Sequence, residues 1–186
     1  GINRVKDQAV LLRALRLVVD HEKSVHLDWF GEDTLGGALS SFARDLDLAA
    51  HVTFHGVQPA DVLAPYFRQA HLYVQSSRHE SQGVAVCEAA AAGAPTVGTA
   101  VGLVAELAPQ AAWAAPVGDA AGLAAGILTL LRDPDQRARR GRAGPLLARR
   151  RIGWRLLCRR LAHDRALVAF GRVRLRKRRN TRGHNR

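Results

Sequence analysis

Glu80 and Glu88 stand eight positions apart in the run Ser77-Arg78-His79-Glu80-Ser81-Gln82-Gly83-Val84-Ala85-Val86-Cys87-Glu88, which continues through an alanine tract to Gly93-Ala94-Pro95. A carboxylate accepts hydrogen bonds from two hydroxyls at once, so two of them at this spacing can grip a polyhydroxylated ligand. The apolar run Leu72-Tyr73-Val74 before them reads as a strand, and the alanine-rich run after Gly83 reads as a helix stopped by Gly93. A strand–loop–helix unit of this kind aims free helix-start N–H groups at whatever lies beyond the strand's C-terminal end. Glu80 precedes that helix and Glu88 lies inside it.

The elements that must hold this unit follow from periodicity. Val10, Leu11, Ala14, Leu15, Val18 and Val19 recur at helical spacing and predict a helix over Lys6–Asp20. Val25–Phe30 begins by alternating apolar and polar residues, as a strand does, and stops at Gly31. Thr34 is placed to cap a second helix reaching Leu48. Val52–His55 predicts a short strand, Pro59 and Asp61 open a helix ending near Ala70, and Leu72–Gln75 is the next strand. Further strands are expected at Thr96–Gly98 and Ala112–Pro116, and Asp119 caps a helix through Leu131. Such alternation predicts an α/β fold, a Rossmann-like parallel sheet with helices on both faces. Beyond Pro134 the pattern weakens. A basic helix over Arg137–Arg151 is expected to be interrupted by Gly144-Pro145, and Ile152–Phe170 has the apolar spacing of an amphipathic helix. Residues 1–170 form one domain in this reading. Residues 171–186 form a basic tail with too little apolar surface to fold by itself.

Charge is divided unevenly along the 186 residues. Residues 1–131 carry 8 Lys+Arg against 13 Asp+Glu, and residues 132–186 carry 20 against 3. The net charge of +12 therefore describes the C-terminal segment and not the domain, and specific nucleic-acid recognition does not follow from it. Cys87 and Cys158 are isolated, so neither a disulfide framework nor a cysteine metal site is expected. No Asp-x-Asp metal motif accompanies the two glutamates, and no metal or cofactor is implied. The chain has no Met and begins at Gly1, which reads as a fragment; with no apolar span or secretory pattern in it, a cytoplasmic location is expected, with a peripheral position on a membrane open to the basic segment.

The run Glu80, Gly83, Glu88, Ala89, Ala91, Gly93 and Pro95 fills the pattern Glu-x-x-Gly-x-x-x-x-Glu-Ala-x-Ala-x-Gly-x-Pro. In this it resembles the signature of retaining family 4 glycosyltransferases, in the C-terminal, nucleotide-sugar-binding domain of their two-Rossmann-domain (GT-B) architecture. The resemblance covers roughly residues 2–165. It implies that Glu80 lies beside the donor sugar and that Glu88 binds the ribose hydroxyls. Gly83 and Val84 would place helix-start amides near phosphate or sugar oxygens. Lys6, in Asn3-Arg4-Val5-Lys6, matches the family lysine that contacts the donor diphosphate; the strand expected before it is absent from this sequence, as is the arginine usual before the lysine. Gly56 and Val57, in Phe54-His55-Gly56-Val57, match a turn whose backbone lies against the nucleobase. Thr99–Glu106 resembles the next loop with Gly102 kept and Leu103 in place of a second glycine, so Glu106 reads as a helix-start carboxylate. Trp154 matches the point that opens the family's last helix. His79 abuts Glu80, but the resemblance assigns no general base to this domain.

The implied activity is transfer of a sugar from a nucleotide diphosphate to an acceptor glycan, lipid or small molecule with retained configuration, with Lys6 and Glu80 as the catalytic residues. The acceptor would be held by an N-terminal domain for which this chain has no room, so little activity is expected from the chain alone. Two other readings stand beside it. One is a module that binds nucleotide sugars without turnover. The other is an arginine tail that binds anionic membrane or nucleic acid, which deletion of residues 171–186 would abolish while leaving donor binding intact.

Overall fold

In the computed structural model, residues 4–80, 83–152 and 170–175 are described. After a 3-10 turn at Arg4–Lys6, the elements run α1 (Gln8–His21), β1 (Val25–Phe30), α2 (Ala38–Asp45), β2 (Val52–Phe54), α3 (Ala60–Gln69), β3 (Leu72–Gln75), α4 (Val84–Ala91), β4 (Thr96–Thr99), α5 (Gly102–Leu107), β5 (Ala112–Ala115), α6 (Ala120–Arg132), α7 (Pro134–Ile152) and β6 (Phe170–Leu175). The six strands form one sheet in the order β2-β1-β6-β3-β4-β5. The pairs β1–β2, β3–β4 and β4–β5 are parallel, as the alternating pattern requires.

Two cores sandwich the sheet. On one face α1 and α6 pack through Val10, Leu11, Leu15, Val18, Leu123, Ile127 and Leu130 onto Leu27, Trp29, Leu72 and Val97. On the other, α3, α4 and α5 pack through Phe67, Val86, Ala89 and Val104 onto Phe30, Tyr73 and Ala112. Strands β1, β3 and β4 are buried along their whole length, so the polar residues that alternate in β1, His26 and Asp28, are buried as well.

Four local expectations are corrected. Thr34 does not cap α2: Gly36 and Gly37 take positive φ (60° and 88°), which holds the start back to Ala38, while Asp33 accepts from the N–H groups of Leu35 and Gly37. Gly144-Pro145 does not interrupt α7, which runs through it. The segment after Val101 is helical from Gly102, so Glu106 lies in the last turn of α5 and not at its start. Gly171–Leu175, assigned to the unstructured tail, belongs to β6, which lies antiparallel between β1 and β3. Residues 176–186, the helix expected over Ile152–Phe170 between residues 153 and 169, and Trp154 lie outside the described residues.

Candidate functional site

The chain steps from β1 outward to β2, then crosses to the other side of the sheet for β3, β4 and β5. Parallel sheets bind ligands beyond the strands' C-terminal ends at such a reversal. The loops that leave β1, β2, β3 and β4 there carry most of the residues singled out by the sequence.

Lys6 and Glu80 come together at the end of β3. The Lys6 ammonium is hydrogen-bonded and ion-paired to Glu80 Oε2. Three contacts fix the two segments against each other. Ser76 Oγ donates to the Lys6 carbonyl (2.9 Å), Arg78 N–H donates to the Val5 carbonyl (2.8 Å), and the Arg78 guanidinium pairs with Asp7 at 2.8 Å. Glu80 is held from its other side: Ser77 Oγ donates to Oε2 (3.4 Å) and the Gly83 N–H donates to Oε1 (3.3 Å). The Ser77 carbonyl accepts from Thr99 Oγ1 (2.5 Å), which ties this loop to the end of β4.

Gly83 is the N-cap of α4 and adopts the left-handed region (φ 57°). It has no side chain to cap the helix, so the first-turn amides that begin at Val84 face the loop end of the sheet without a cap from that residue. Gly102 answers a tighter demand. Its φ is 49°, and a Cβ there would lie 2.7 Å from the Glu80 carbonyl oxygen, so the α5 start closes directly onto the Glu80 backbone.

Glu88 sits one turn into α4 and is largely buried. Its Oε2 is shielded from solvent and has no hydrogen-bond partner among the described residues. Burial pushes its carboxyl up to about 7. Burial also raises the Tyr73 phenol on β3 well above its ordinary value, and both Glu80 and Glu88 add to that rise, so the two carboxylates act on one point of the sheet. Cys87 is buried, and its thiol is pushed up to about 12, mainly by that burial and then by Glu88, which leaves it unreactive.

Gly56 and Val57 form the turn after β2. Gly56 has φ 66° with open space where a Cβ would project, and Val57 is 53% exposed. The outer side of this turn is open, while the Gly56 carbonyl accepts from the Gly31 N–H (2.8 Å). Beneath it lies a pair that the sequence reading missed. His55 Nε2 donates to Asp28 Oδ1 at 2.9 Å, and Asp28 is 1% exposed. The His55 ring stacks on Phe30 with centroids 4.6 Å apart and meets the edge of Tyr66. The available signal was an Asp inside an apolar strand, which when buried needs a partner. His79 is exposed and takes no part in these contacts. No group of three or more His, Cys, Asp or Glu among the described residues is arranged to hold a metal ion.

A mostly parallel sheet with helices on both faces, and Lys6 paired with Glu80 beyond the end of β3, makes a Rossmann-like domain like those of GT-B glycosyltransferases. The chain matches the model of glycosyl transferases group 1 over residues 2–133 and belongs to that family. It is 31% identical over 165 residues to a D-inositol 3-phosphate glycosyltransferase of Thermomonospora curvata, which covers 82% of this chain and 38% of the relative. A D-inositol 3-phosphate glycosyltransferase of an Arthrobacter species is 36% identical over 110 residues, 54% of this chain and 25% of the relative. The chain thus spans well under half the length of these curated relatives. Among solved structures it superposes on a mutant of S. aureus TarM in complex with fondaparinux, α-GlcNAc-glycerol and UDP, with a TM-score of 0.77 and 18% identity over 88% of this chain and 34% of that one. Anabaena HepE in complex with UDP gives 0.73 and 22% over 86% and 45%. The C-terminal domain of LpcC, a glycosyl transferase group 1 family protein from Francisella tularensis, gives 0.72 and 17% over 81% of both chains.

Proposed function

We propose that this chain is the nucleotide-sugar-binding half of a retaining, family 4-type glycosyltransferase. The observation that carries the reading is Glu88. A largely buried carboxylate with one orphaned oxygen, on the helix whose start Glu80 holds, calls for a ligand that supplies hydroxyl donors. A ribose diol is such a ligand.

In this proposal the Gly56–Val57 turn takes the base, Glu88 the ribose, and Lys6 with the amides from Gly83 and Val84 the diphosphate. Glu80 takes the sugar hydroxyls and supports positive charge developing at the anomeric carbon. The bond from that carbon to the diphosphate oxygen breaks, and its electron pair leaves with the nucleotide. The acceptor hydroxyl approaches on the same face, bonds to the anomeric carbon and gives its proton to the departing phosphate oxygen. Lys6 and the helix amides stabilise the leaving group, and the rest of the rate comes from positioning. No metal or other cofactor is required for these steps. Lys6 must then divide its attraction between Glu80 and the diphosphate.

The acceptor site belongs, in this proposal, to the part of such enzymes that lies outside this chain. Acceptors of the class glycan, lipid or small alcohol are compatible with it, and the reaction would take place in the cytoplasm. Among the described residues no helix is long and apolar enough to cross a membrane. Titration of the chain with UDP- and GDP-sugars, with Glu88→Ala alongside, tests the proposal. Saturable binding lost in the variant supports it. Millimolar donor without binding, in a chain whose circular dichroism shows it folded, sinks it. Multiple turnovers from the chain alone would overturn the assignment of the acceptor site elsewhere.

A further inference from the structure

Helix α7 has two unlike faces. Gly141, Gly144 and Ala148 lie along one of them. A Cβ at Gly141 would stand 2.5 Å from the Gly93 carbonyl oxygen and one at Gly144 2.8 Å from that of Ala90, and Ala148 is fully buried. The helix is therefore pressed flush onto α4 and the turn after it. Arg137 and Arg140 serve this same packing: they donate to the carbonyls of Leu130 and Leu131, and of Pro109 and Ala112.

The outer face is different. At about 100° per residue, Arg139, Arg142, Leu146, Arg149 and Arg150 share an arc of roughly a quarter-turn or slightly more, opposite Gly144 and Ala148. All five are exposed. Leu146, at 64%, exceeds every other exposed large hydrophobic residue described. The one acidic residue of α7, Asp135, lies in its first turn.

We propose that this ridge docks the domain on an anionic lipid bilayer. Four guanidiniums around one projecting leucine match such a surface: the cations meet headgroup phosphates, and the leucine enters the boundary beneath them. A duplex groove is the poorer fit. It takes an element that projects from its domain, whereas α7 lies flush, and phosphate contacts have no use for Leu146. Arg142 also lines, with Arg137, His71 and Pro95, a cleft of about 660 Å³ between α7 and the starts of β3 and β4, which has room for a phosphate headgroup. These strand starts, and so this cleft, are at the opposite end of the sheet from Lys6 and Glu80. The inference is independent of which nucleotide sugar the candidate donor site takes.

The test is co-sedimentation of the full chain with vesicles of phosphatidylglycerol and phosphatidylcholine, against phosphatidylcholine alone. Binding to the anionic vesicles only, weakening between 50 and 200 mM salt, is expected. The triple variant Arg139→Gln, Arg142→Gln, Arg149→Gln should lower partitioning by at least about tenfold. An equal loss of charge at Arg13, Lys23 and Arg44, on other elements, should change it by less than about twofold. Leu146→Ser should weaken binding several-fold and leave the salt dependence unchanged. The substituted side chains are exposed, and circular dichroism checks that each variant folds. Wild-type binding by the triple variant overturns the proposal. So does a ridge that binds a DNA duplex but no vesicle.

Discussion

Lys6 and Glu80, 74 positions apart, meet in an ion pair that joins the turn before α1 to the loop after β3. The pair is partly exposed, so its own contribution to stability is small. Its consequence is for ligand binding, because in the ligand-free protein the ammonium proposed for the diphosphate is already shared. Lys6→Met should weaken UDP binding about tenfold or more, since a charge-assisted contact to phosphate is lost. Glu80→Gln should act oppositely on UDP alone: it releases Lys6, so UDP binds as well as before or better. The same variant should lose the preference for the intact nucleotide sugar over UDP. Calorimetric titration of both ligands against both variants separates these outcomes. Equal weakening of UDP by the two substitutions would contradict the arrangement.

The carboxyl of Glu88, raised to about 7, links stability to pH. Its value in the unfolded chain is the ordinary one near 4.5. A raised folded value means that the folded state holds the proton more tightly. Stability is therefore greatest below the unfolded value, falls as pH rises from about 4.5 to about 7, and is flat above. The difference corresponds to about 3 kcal/mol at most, less any relaxation of the site. Glu88→Gln removes this titration. The wild-type melting temperature relative to that of the variant should drop between pH 4.5 and pH 8 by several degrees, roughly 5–10 °C at full effect. A bound ribose would supply the missing donors and favour the carboxylate, so UDP should raise the wild-type melting temperature more at pH 8 than at pH 5. A pH-independent gap between wild type and variant would show that Glu88 titrates normally.

Strands β1 and β3 coincide with their sequence-predicted limits because sharp signals bound them: Gly31 after one, the polar run from Ser76 after the other. Lys6, Glu80, Gly83 and Glu88 were legible through their motifs, although nothing in the spacing said that Lys6 would pair with Glu80. The Asp28–His55 pair was not legible, because it depends on register. Asp28 lies beside Thr53 across the parallel pair, and this sets the residue two further on within reach. Helix α7 was broken in the sequence reading by the low helix propensity of Gly144-Pro145. In the fold Gly144 permits the close approach to Ala90 of α4, and that packing outweighs propensity.

Gly102 tests how tightly the Glu80 loop is clamped. Gly102→Ala must either move the Glu80 carbonyl, 2.7 Å from the new Cβ, or abandon the left-handed backbone at φ 49°. Either route costs on the order of 1–3 kcal/mol. Because the displaced group is the Glu80 backbone itself, donor affinity should fall together with thermal stability. Gly56→Ala is the matched control: its φ is also positive, at 66°, but nothing stands within 4 Å of its Cβ. It should lose about 1 kcal/mol from backbone strain alone and keep Glu80 in place. If both substitutions have the same effect on sugar-donor preference, the clamp is not what positions Glu80.

Deletion of the basic C-terminal segment separates the two views of it. Composition made everything after Gly171 a solvated tail, whose removal would leave donor binding intact. In the fold, Val173 is fully buried and pairs with Leu27 on β1 and with Leu72 on β3, so β6 bridges the two halves of the sheet. Arginines alternating along Gly-Arg-Val-Arg-Leu gave no local sign of this, because the stabilisation comes from strands about 100 and 150 residues earlier. Truncation after Leu175 keeps β6 whole and should leave cooperative unfolding and donor binding in place. Truncation before Phe170 removes the strand, unpairs the inner edges of β1 and β3, and exposes Leu27 and Leu72. It should abolish cooperative unfolding and cost donor binding as well. A chain ending at residue 169 that melts cooperatively near the wild-type temperature and still binds donor would show that β1 and β3 hold together without β6.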